Sequence, residues 1–146
     1  MKISATIITL NEERNIERCI QSLLPIVDEI IVLDSNSTDK TEAICKAHGV
    51  RFQKRNWEWY AASKNFLNGL ATYDYILSID ADEALDNELK KAILNLKKIE
   101  HPELYSMNRL TNYCGKWIKH SGWYPDIKLR LFPKEGCQWE GEYVHE

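Results

Sequence analysis

The 146-residue chain reads as an α/β protein built on a doubly wound, mainly parallel sheet flanked by helices. Three observations predict this. Short β-rich apolar runs alternate four times with amphipathic runs over roughly the first hundred residues, as in parallel strands joined by crossover helices. The apolar runs are nearly continuous, as strands covered on both faces are. Acids, hydroxyls and amides collect just after those runs, at the carboxyl ends of the strands, where an open α/β sheet binds its ligands.

Each element has its own local reason. "ISATIITL" (3–10) is a β-rich run, and Asn11 stands as the N-cap of the helix behind it. Ile16, Cys19, Ile20, Leu23 and Leu24 then recur at helical spacing until Pro25 closes the helix. "EIIVLD" (29–34) predicts a second strand. In the following "SNSTDKTE", Asp39 with Glu42 three residues on resembles a capping box, and Ala43, Ile44 and Ala47 lead to a stop at Gly49. "VRFQ" (50–53) is a third strand, and 58–71 a helix with Ala62, Phe66 and Leu70 inward. "YILSI" (75–79) is the fourth strand. Leu85, Leu89, Ala92, Leu96 and Ile99 form one face of a last helix, which ends before Pro102. Beyond it "ELYSMNRLTNY" and "IKLRLF" read as strands around the irregular, aromatic "CGKWIKHSGWYPD".

A content of 44% hydrophobic and 28% charged residues is that of a soluble globular protein of one domain. The formal charge of −3 offers no basic face for nucleic acid. Cys19, Cys45, Cys114 and Cys137 form no C-x-x-C pair. Cys19 and Cys45 fall on apolar helix faces, which predicts buried thiols and a reducing compartment. The first apolar run is too short for a signal sequence, and no stretch approaches the ~20 apolar residues of a membrane span. A cytoplasmic location is expected, with peripheral contact to the inner membrane left open. The chain ends abruptly at "EYVHE" and is expected to be part of something longer.

The chemistry concentrates in "YDYILSIDADEAL" (73–85), where a core strand runs into Asp80, Asp82 and Glu83. Like charges so close repel unless something positive sits between them. Two carboxylates spaced D-x-D at a strand end reach one hard divalent cation, Mg²⁺ or Mn²⁺, whose shell a diphosphate would complete. The bland reading is a pair of acids capping the next helix. Thr9, Asn11, Glu12 and Glu13 follow the first strand, and Asp34, Ser35, Asn36 and Ser37 the second, so a polar crevice is predicted from distant segments. No G-x-G-x-x-G and no G-K-[ST] loop is present.

"ITLNEERNIERCIQSL", "EIIVLDSNSTDKTEAI" and "YILSIDADEAL", in that order, resemble the family 2 glycosyltransferases with the GT-A fold, a Rossmann-like arrangement. The tail "NYCGKWIKHSGWYPDIKLRLF…W.GEYVHE" is similar to the bacterial lipopolysaccharide-core β-glucosyltransferase branch. The resemblance implies one catalytic domain over 1–146, with 1–100 the nucleotide-sugar-binding half and 101–146 the start of an acceptor-side half. It implies an inverting, metal-dependent transfer of a hexose from a UDP-sugar to a glycan or lipid-linked saccharide such as a lipopolysaccharide core. Thr9, Asn11 and Glu12 match the first nucleotide-contacting loop. Asp34 matches the acid that accepts a hydrogen bond from the uracil ring nitrogen, with Ser35 beside it; capping and turn formation are their structural alternatives. Lys64 matches a basic residue near the diphosphate, or is a solvated helix lysine. Asp80, Ala81 and Asp82 match the D-x-D, with Asp82 the stronger metal ligand and His145 a third candidate.

The base of an inverting transfer is a carboxylate that takes the acceptor's proton. Asp126 in "YPDIKLR" matches it in part, because Pro125 replaces the usual acid. Trp117, Trp123, Tyr124 and Trp139 would give sugar rings an apolar floor or pack a core. Two other readings stay open. One is a nucleotide-sugar-binding module without activity. The other is a haloacid-dehalogenase-type phosphohydrolase, whose D-x-D normally follows the first strand and not the fourth.

Overall fold

The structure, a computed structural model, describes residues 1–58, 60–98 and 130–135. Among the described residues five strands form one sheet: β1 (Ile3–Thr9), β2 (Glu29–Asp34), β3 (Arg51–Lys54), β4 (Tyr75–Ser78) and β5 (Arg130–Pro133). Their order across the sheet is β3-β2-β1-β4-β5. The first four strands run parallel, and β5 lies antiparallel on β4 with Ser78 opposite Arg130. The helices α1 (Ile16–Leu23), α2 (Thr41–Ala47), α3 (Tyr60–Gly69) and α4 (Asn87–Leu96) connect them.

The strand period of two divides the core. Ile3, Ala5, Ile7, Ile30, Val32, Leu77 and Ile79 point to one face, packed with Ile16, Cys19, Ile20 and Leu23 of α1, Cys45 of α2, and Ile93 and Leu96 of α4. Ile31, Leu33 and Ile76 point to the other, beneath Leu67 of α3 and Phe132 of β5. With apolar residues on both faces, "EIIVLD" is buried along all but its first residue, as its composition predicts. Cys19 and Cys45 are buried free thiols, as expected; Cys114 and Cys137 lie outside the described residues.

Several local expectations are corrected. Asn11 is not the N-cap of α1: it adopts a left-handed backbone (φ 52°), and the helix starts after Asn15. The capping box at α2 does not form. Asp39 instead accepts from the amide of Thr41 two residues on (2.9 Å), and Glu42 pairs with Lys46 and Lys54. Ala43 and Ala47 are exposed, so Thr41 and Cys45 form the buried face of that helix. Gly49 does end it, at φ 69°. The third strand begins at Arg51, and α3 is shorter than 58–71.

The face of α3 is corrected in part: Phe66 and Leu70 pack on the core as expected, but Ala62 does not. Ala62 is exposed, while Ser63, Lys64, Leu67 and Asn68 are buried. Apolar periodicity misses this face because half of it is polar, and the polar half meets the site described next. At α4, Asp86 accepts from the amide of Leu89, and Leu89, Ala92 and Leu96 turn inward with Ile93; Ile99 and the 103–113 strand reading lie outside the described residues.

Candidate functional site

The carboxyl ends of β1, β2 and β4 lie side by side, with Thr9 opposite Asp34. The loops that leave β1 and β2 are fastened together. Asn11 donates its amide to the Ser37 hydroxyl (2.7 Å) and accepts from the Thr38 amide (2.8 Å). The Glu12 amide donates to the Thr41 hydroxyl (2.9 Å), and the Glu13 amide to the Asp39 carboxylate (3.1 Å). Asn36, the second left-handed asparagine (φ 65°), donates to Asn56 (2.9 Å). Asn and Asp tolerate left-handed backbone and offer side-chain acceptors in turns, so "LNEE" and "SNSTD" form one polar zipper.

Asp34 closes β2. Its residue is fully buried, and its carboxylate accepts from the amide (2.8 Å) and the hydroxyl of Ser37. Its backbone carbonyl accepts from the amide of Arg55 (2.9 Å), and the Ser35 amide donates to the carbonyl of Thr9 (3.0 Å). Ser35 is half-buried beside it. Glu12 also serves the turn, accepting from the Asn15 side chain (3.0 Å). Thr9 is buried, and its hydroxyl finds no partner among the described residues.

The acidic turn after β4 is held from both faces of the sheet. On the α1 side, the Cys19 thiol donates to the carbonyl of Asp80 (3.6 Å) and the Arg18 guanidinium to that of Asp82 (3.3 Å). Ser22 accepts from the amide of Leu85 (3.0 Å) while donating to the carbonyl of Cys19 (2.7 Å). On the α3 side, the Lys64 ammonium lies 3.7 Å from Oδ1 of Asp80. Lys64 is only 4% exposed, so it is no solvated helix lysine. Glu83 bends back to accept from the amide of Asp80 (2.9 Å), Ala81 is buried, and Asp82 is exposed. Burial pushes the Cys19 thiol up to about 12, helped by the charges of Glu83, Asp80 and Asp82 and opposed by Arg18. It is therefore a structural donor and not a nucleophile.

The donor set fits a hard divalent cation of the kind that takes one or two carboxylates and completes its shell with water and phosphate. Asp82 and Asp80 are the carboxylates available. Among the described residues no three His, Cys, Asp or Glu side chains converge as a cage. Thus Thr9, Asp34, Ser35, Lys64, Asp80, Ala81 and Asp82 gather at one edge, and Asn11 and Glu12 build the loop beside them. Asp126 and His145 lie outside the described residues. Sequence reasoning passed over Ser37, Arg18, Cys19 and Ser22 as supports. Ser37 carries a readable signal, a D-x-x-S turn after a strand; the three residues of α1 carry none.

Residues 4–141 match the family model described as Glycosyl transferase family 2. An uncharacterised glycosyltransferase of Rickettsia typhi is 45% identical over 138 residues, 93% of this chain and 44% of that protein. A lipopolysaccharide core biosynthesis glycosyltransferase of Rhizobium meliloti is 37% identical over 101 residues, 66% of this chain and 37% of that one. Glucosyl-3-phosphoglycerate synthase of Mycobacterium tuberculosis, solved with Mn²⁺, UDP and glucosyl-3-phosphoglycerate, superposes with a TM-score of 0.51. It is 31% identical, over 57% of this chain and 35% of that one. The chain thus spans less than half the length of these curated relatives.

Proposed function

This chain belongs to glycosyl transferase family 2, and we propose that it forms the donor-binding part of a metal-dependent, inverting enzyme that moves a hexose from a UDP-sugar. The observation that carries this reading is the buried Lys64 set against Asp80, beside exposed Asp82, where three parallel strands end. A buried cation and two carboxylates at a strand edge suit a ligand that brings both a diphosphate and a divalent ion. The phosphohydrolase alternative falls with the family match.

Asp82, with Asp80, would hold Mg²⁺ or Mn²⁺, which supplies charge stabilisation to a departing nucleoside diphosphate. The protein's own groups do the rest. Lys64 faces the diphosphate. Thr9 and Ser35 belong to the nucleoside side by the family resemblance, Ser35 half-buried and Thr9 buried, on a loop whose shape Asp34 and Ser37 hold. Asp34 keeps the base-ring role that the family resemblance implies, beside its hold on Ser37. Asp126 takes the acceptor's proton, a role that rests on the family resemblance, as does His145 as a third metal ligand. The acceptor is a glycan or lipid-linked saccharide of the lipopolysaccharide-core type, a reading supported by the name of the Rhizobium meliloti relative. The proposed location is the cytoplasm. Among the described residues no helix is long and apolar enough to cross a membrane.

Thermal melting with UDP, CDP, GDP or UDP-sugars, each with Mn²⁺ or EDTA, tests the donor half. A ligand at 100 times its Kd stabilises by ~2.7 kcal/mol, a readily measured shift. UDP with Mn²⁺ should raise Tm most, and Asp82→Asn should abolish the Mn²⁺-dependent part. Equal affinity for UDP in Mn²⁺ and in EDTA would remove the metal from the reading, and no response to any nucleotide would remove the donor. In the full-length parent, Asp126→Asn should keep UDP binding and lose transfer by a factor of about 10²–10⁴.

A further inference from the structure

The stretch between β4 and α4 offers two carboxylates to a ligand, so it has to be held in place through its backbone. α1 holds it in that way, at three points. The Cys19 thiol donates to the carbonyl of Asp80 (3.6 Å), and the Arg18 guanidinium donates to that of Asp82 (3.3 Å). The Ser22 hydroxyl accepts from the amide of Leu85 (3.0 Å). Residues 18 and 22 lie one helical turn apart, with 19 beside them, so a single side of α1 faces the turn. None of the three bonds reaches a side chain of the turn.

The three are not equivalent. A thiol is a weak donor, and its contact is long. Arg18 is exposed, so water replaces it at the carbonyl without loss. Ser22 is only 6% exposed. Its proton is used inside the helix, donated to the carbonyl of Cys19 (2.7 Å), which leaves its oxygen as an acceptor for Leu85. Without that oxygen a buried amide goes unpaired, and the chain must shift to pair it.

Leu85 is the far anchor of the turn. Its side chain lies in the apolar core, and Asp86 beside it caps α4. The near anchor is Ile79, whose amide donates to the carbonyl of Thr6 (3.1 Å). Asp80 and Asp82 are strung between these two points, so a shift at Leu85 changes how their oxygens are spaced.

We propose that Ser22 is a positioning residue for the metal: touching neither ion nor nucleotide, its hydroxyl fixes the amide of Leu85 and thereby the spacing of the Asp80 and Asp82 carboxylates, which decides how well the turn discriminates among divalent cations. This rests on the metal reading above and names the part of the chain that sets the geometry. Mg²⁺ demands near-ideal octahedral oxygens at about 2.0–2.1 Å, whereas Ca²⁺ accepts flexible arrangements at about 2.3–2.6 Å. A turn pinned at both ends suits the exacting ion. A turn loosened at Leu85 loses that ion first.

The test is calorimetric titration of Mg²⁺, Mn²⁺ and Ca²⁺ at saturating UDP on wild type, Ser22→Ala, Ser22→Thr and Ile26→Val. Ser22→Ala should weaken Mg²⁺ and Mn²⁺ by roughly ten- to a hundred-fold, the usual effect of losing a group that orients a metal ligand, and Ca²⁺ far less. Ser22→Thr keeps the hydroxyl and should restore the wild-type order of affinities. Ile26→Val trims the same apolar core away from the turn, so it should lower Tm and leave all three affinities unchanged. UDP in EDTA should bind alike to every variant. In the ligand-free protein, hydrogen exchange at the Leu85 amide should quicken in Ser22→Ala and not in Ile26→Val. Should alanine fold poorly, Ser22→Cys supplies a weaker acceptor and should give the same changes at smaller size.

Two failures are distinguishable. If the wild type binds Mg²⁺ or Mn²⁺ with UDP, yet Ser22→Ala lowers Tm and leaves the three affinities in their wild-type ratios, Ser22 only stabilises the fold and the positioning role is overturned. If neither wild type nor any variant binds a divalent ion with UDP present, the metal reading falls and the positioning role with it.

Discussion

Replacing Ser37 by alanine tests whether the zipper between the first two loops is held as described. The hydroxyl does two things: it donates to the carboxylate of the fully buried Asp34 and accepts from the amide of Asn11. A hydrogen bond to a charged group contributes about 1.5–3 kcal/mol net, and more of that is kept as a penalty when the charge stays buried. The Asn11 contact is exposed, so water replaces the lost acceptor and the cost there is ~0.5 kcal/mol. The expected destabilisation is about 2–3 kcal/mol. At roughly 4 °C per kcal/mol for a domain of this size, Tm should fall by ~8–12 °C. Urea titration should show the midpoint moving at constant slope, because the same surface is exposed on unfolding. Thr38→Ala is the control: Thr38 is exposed and joins the zipper through its amide, so it should stay within ~0.5 kcal/mol of wild type. If Ser37→Ala matches that control, Asp34 is satisfied by other groups and the zipper is not what fixes this loop.

Stability should fall as pH drops from about 5 toward 3. Burial pushes Asp28 up, but the Lys97 ammonium and the Ile3 amide outweigh it and hold its carboxyl below 3.8; at Glu29, burial is outweighed by Thr72, Ser4 and Arg51, which hold it below 4.5. Above those values both folded and unfolded chains carry the charges and the full contribution is present; on acidification the unfolded chain takes protons first, and the contribution is lost through the folded values. Glu29→Gln and Asp28→Asn should flatten that slope, and curves parallel to wild type would contradict the assignment. Cys19 and Cys45, both pushed up to about 12, chiefly by burial, should resist a thiol reagent at pH 8 in the folded protein. In a Cys114→Ser, Cys137→Ser background two thiols should react only on unfolding; fast labelling of the native protein would mean that one of them is accessible.

The order of strands and helices was legible because each buried strand needs a continuous apolar run, and "EIIVLD" states one directly. The acidic turn was legible for the opposite reason, since acids abutting a core strand have few structural uses. The question that turn raised, what positive charge it contains, has its answer in Lys64. That answer is half legible: the lysine stands in the sequence, but its burial does not, because the apolar face through Phe66 and Leu70 gives no hint that Ser63, Lys64 and Asn68 are buried beside it. Polar residues on a buried face leave no hydrophobic period to read. Asn11 looks like a cap in the sequence for a related reason. Asparagine serves caps and left-handed turns alike, and the partner that decides between them, the amide of Thr38, lies in another loop.

The antiparallel strand β5 has a consequence for how such a fold diversifies. It pairs with β4 although roughly fifty residues of chain separate Ser78 from Arg130, and the entropy of closing a loop grows only with the logarithm of its length. Doubling the intervening chain would cost only ~0.6 kcal/mol, less than many single core substitutions. The sheet edge thus tolerates wide variation in the length of what is threaded between α4 and β5. Descendants of such a chain can exchange that stretch while the strands that present Thr9, Asp34 and Asp80 keep their register, so one scaffold can be refitted without being refolded.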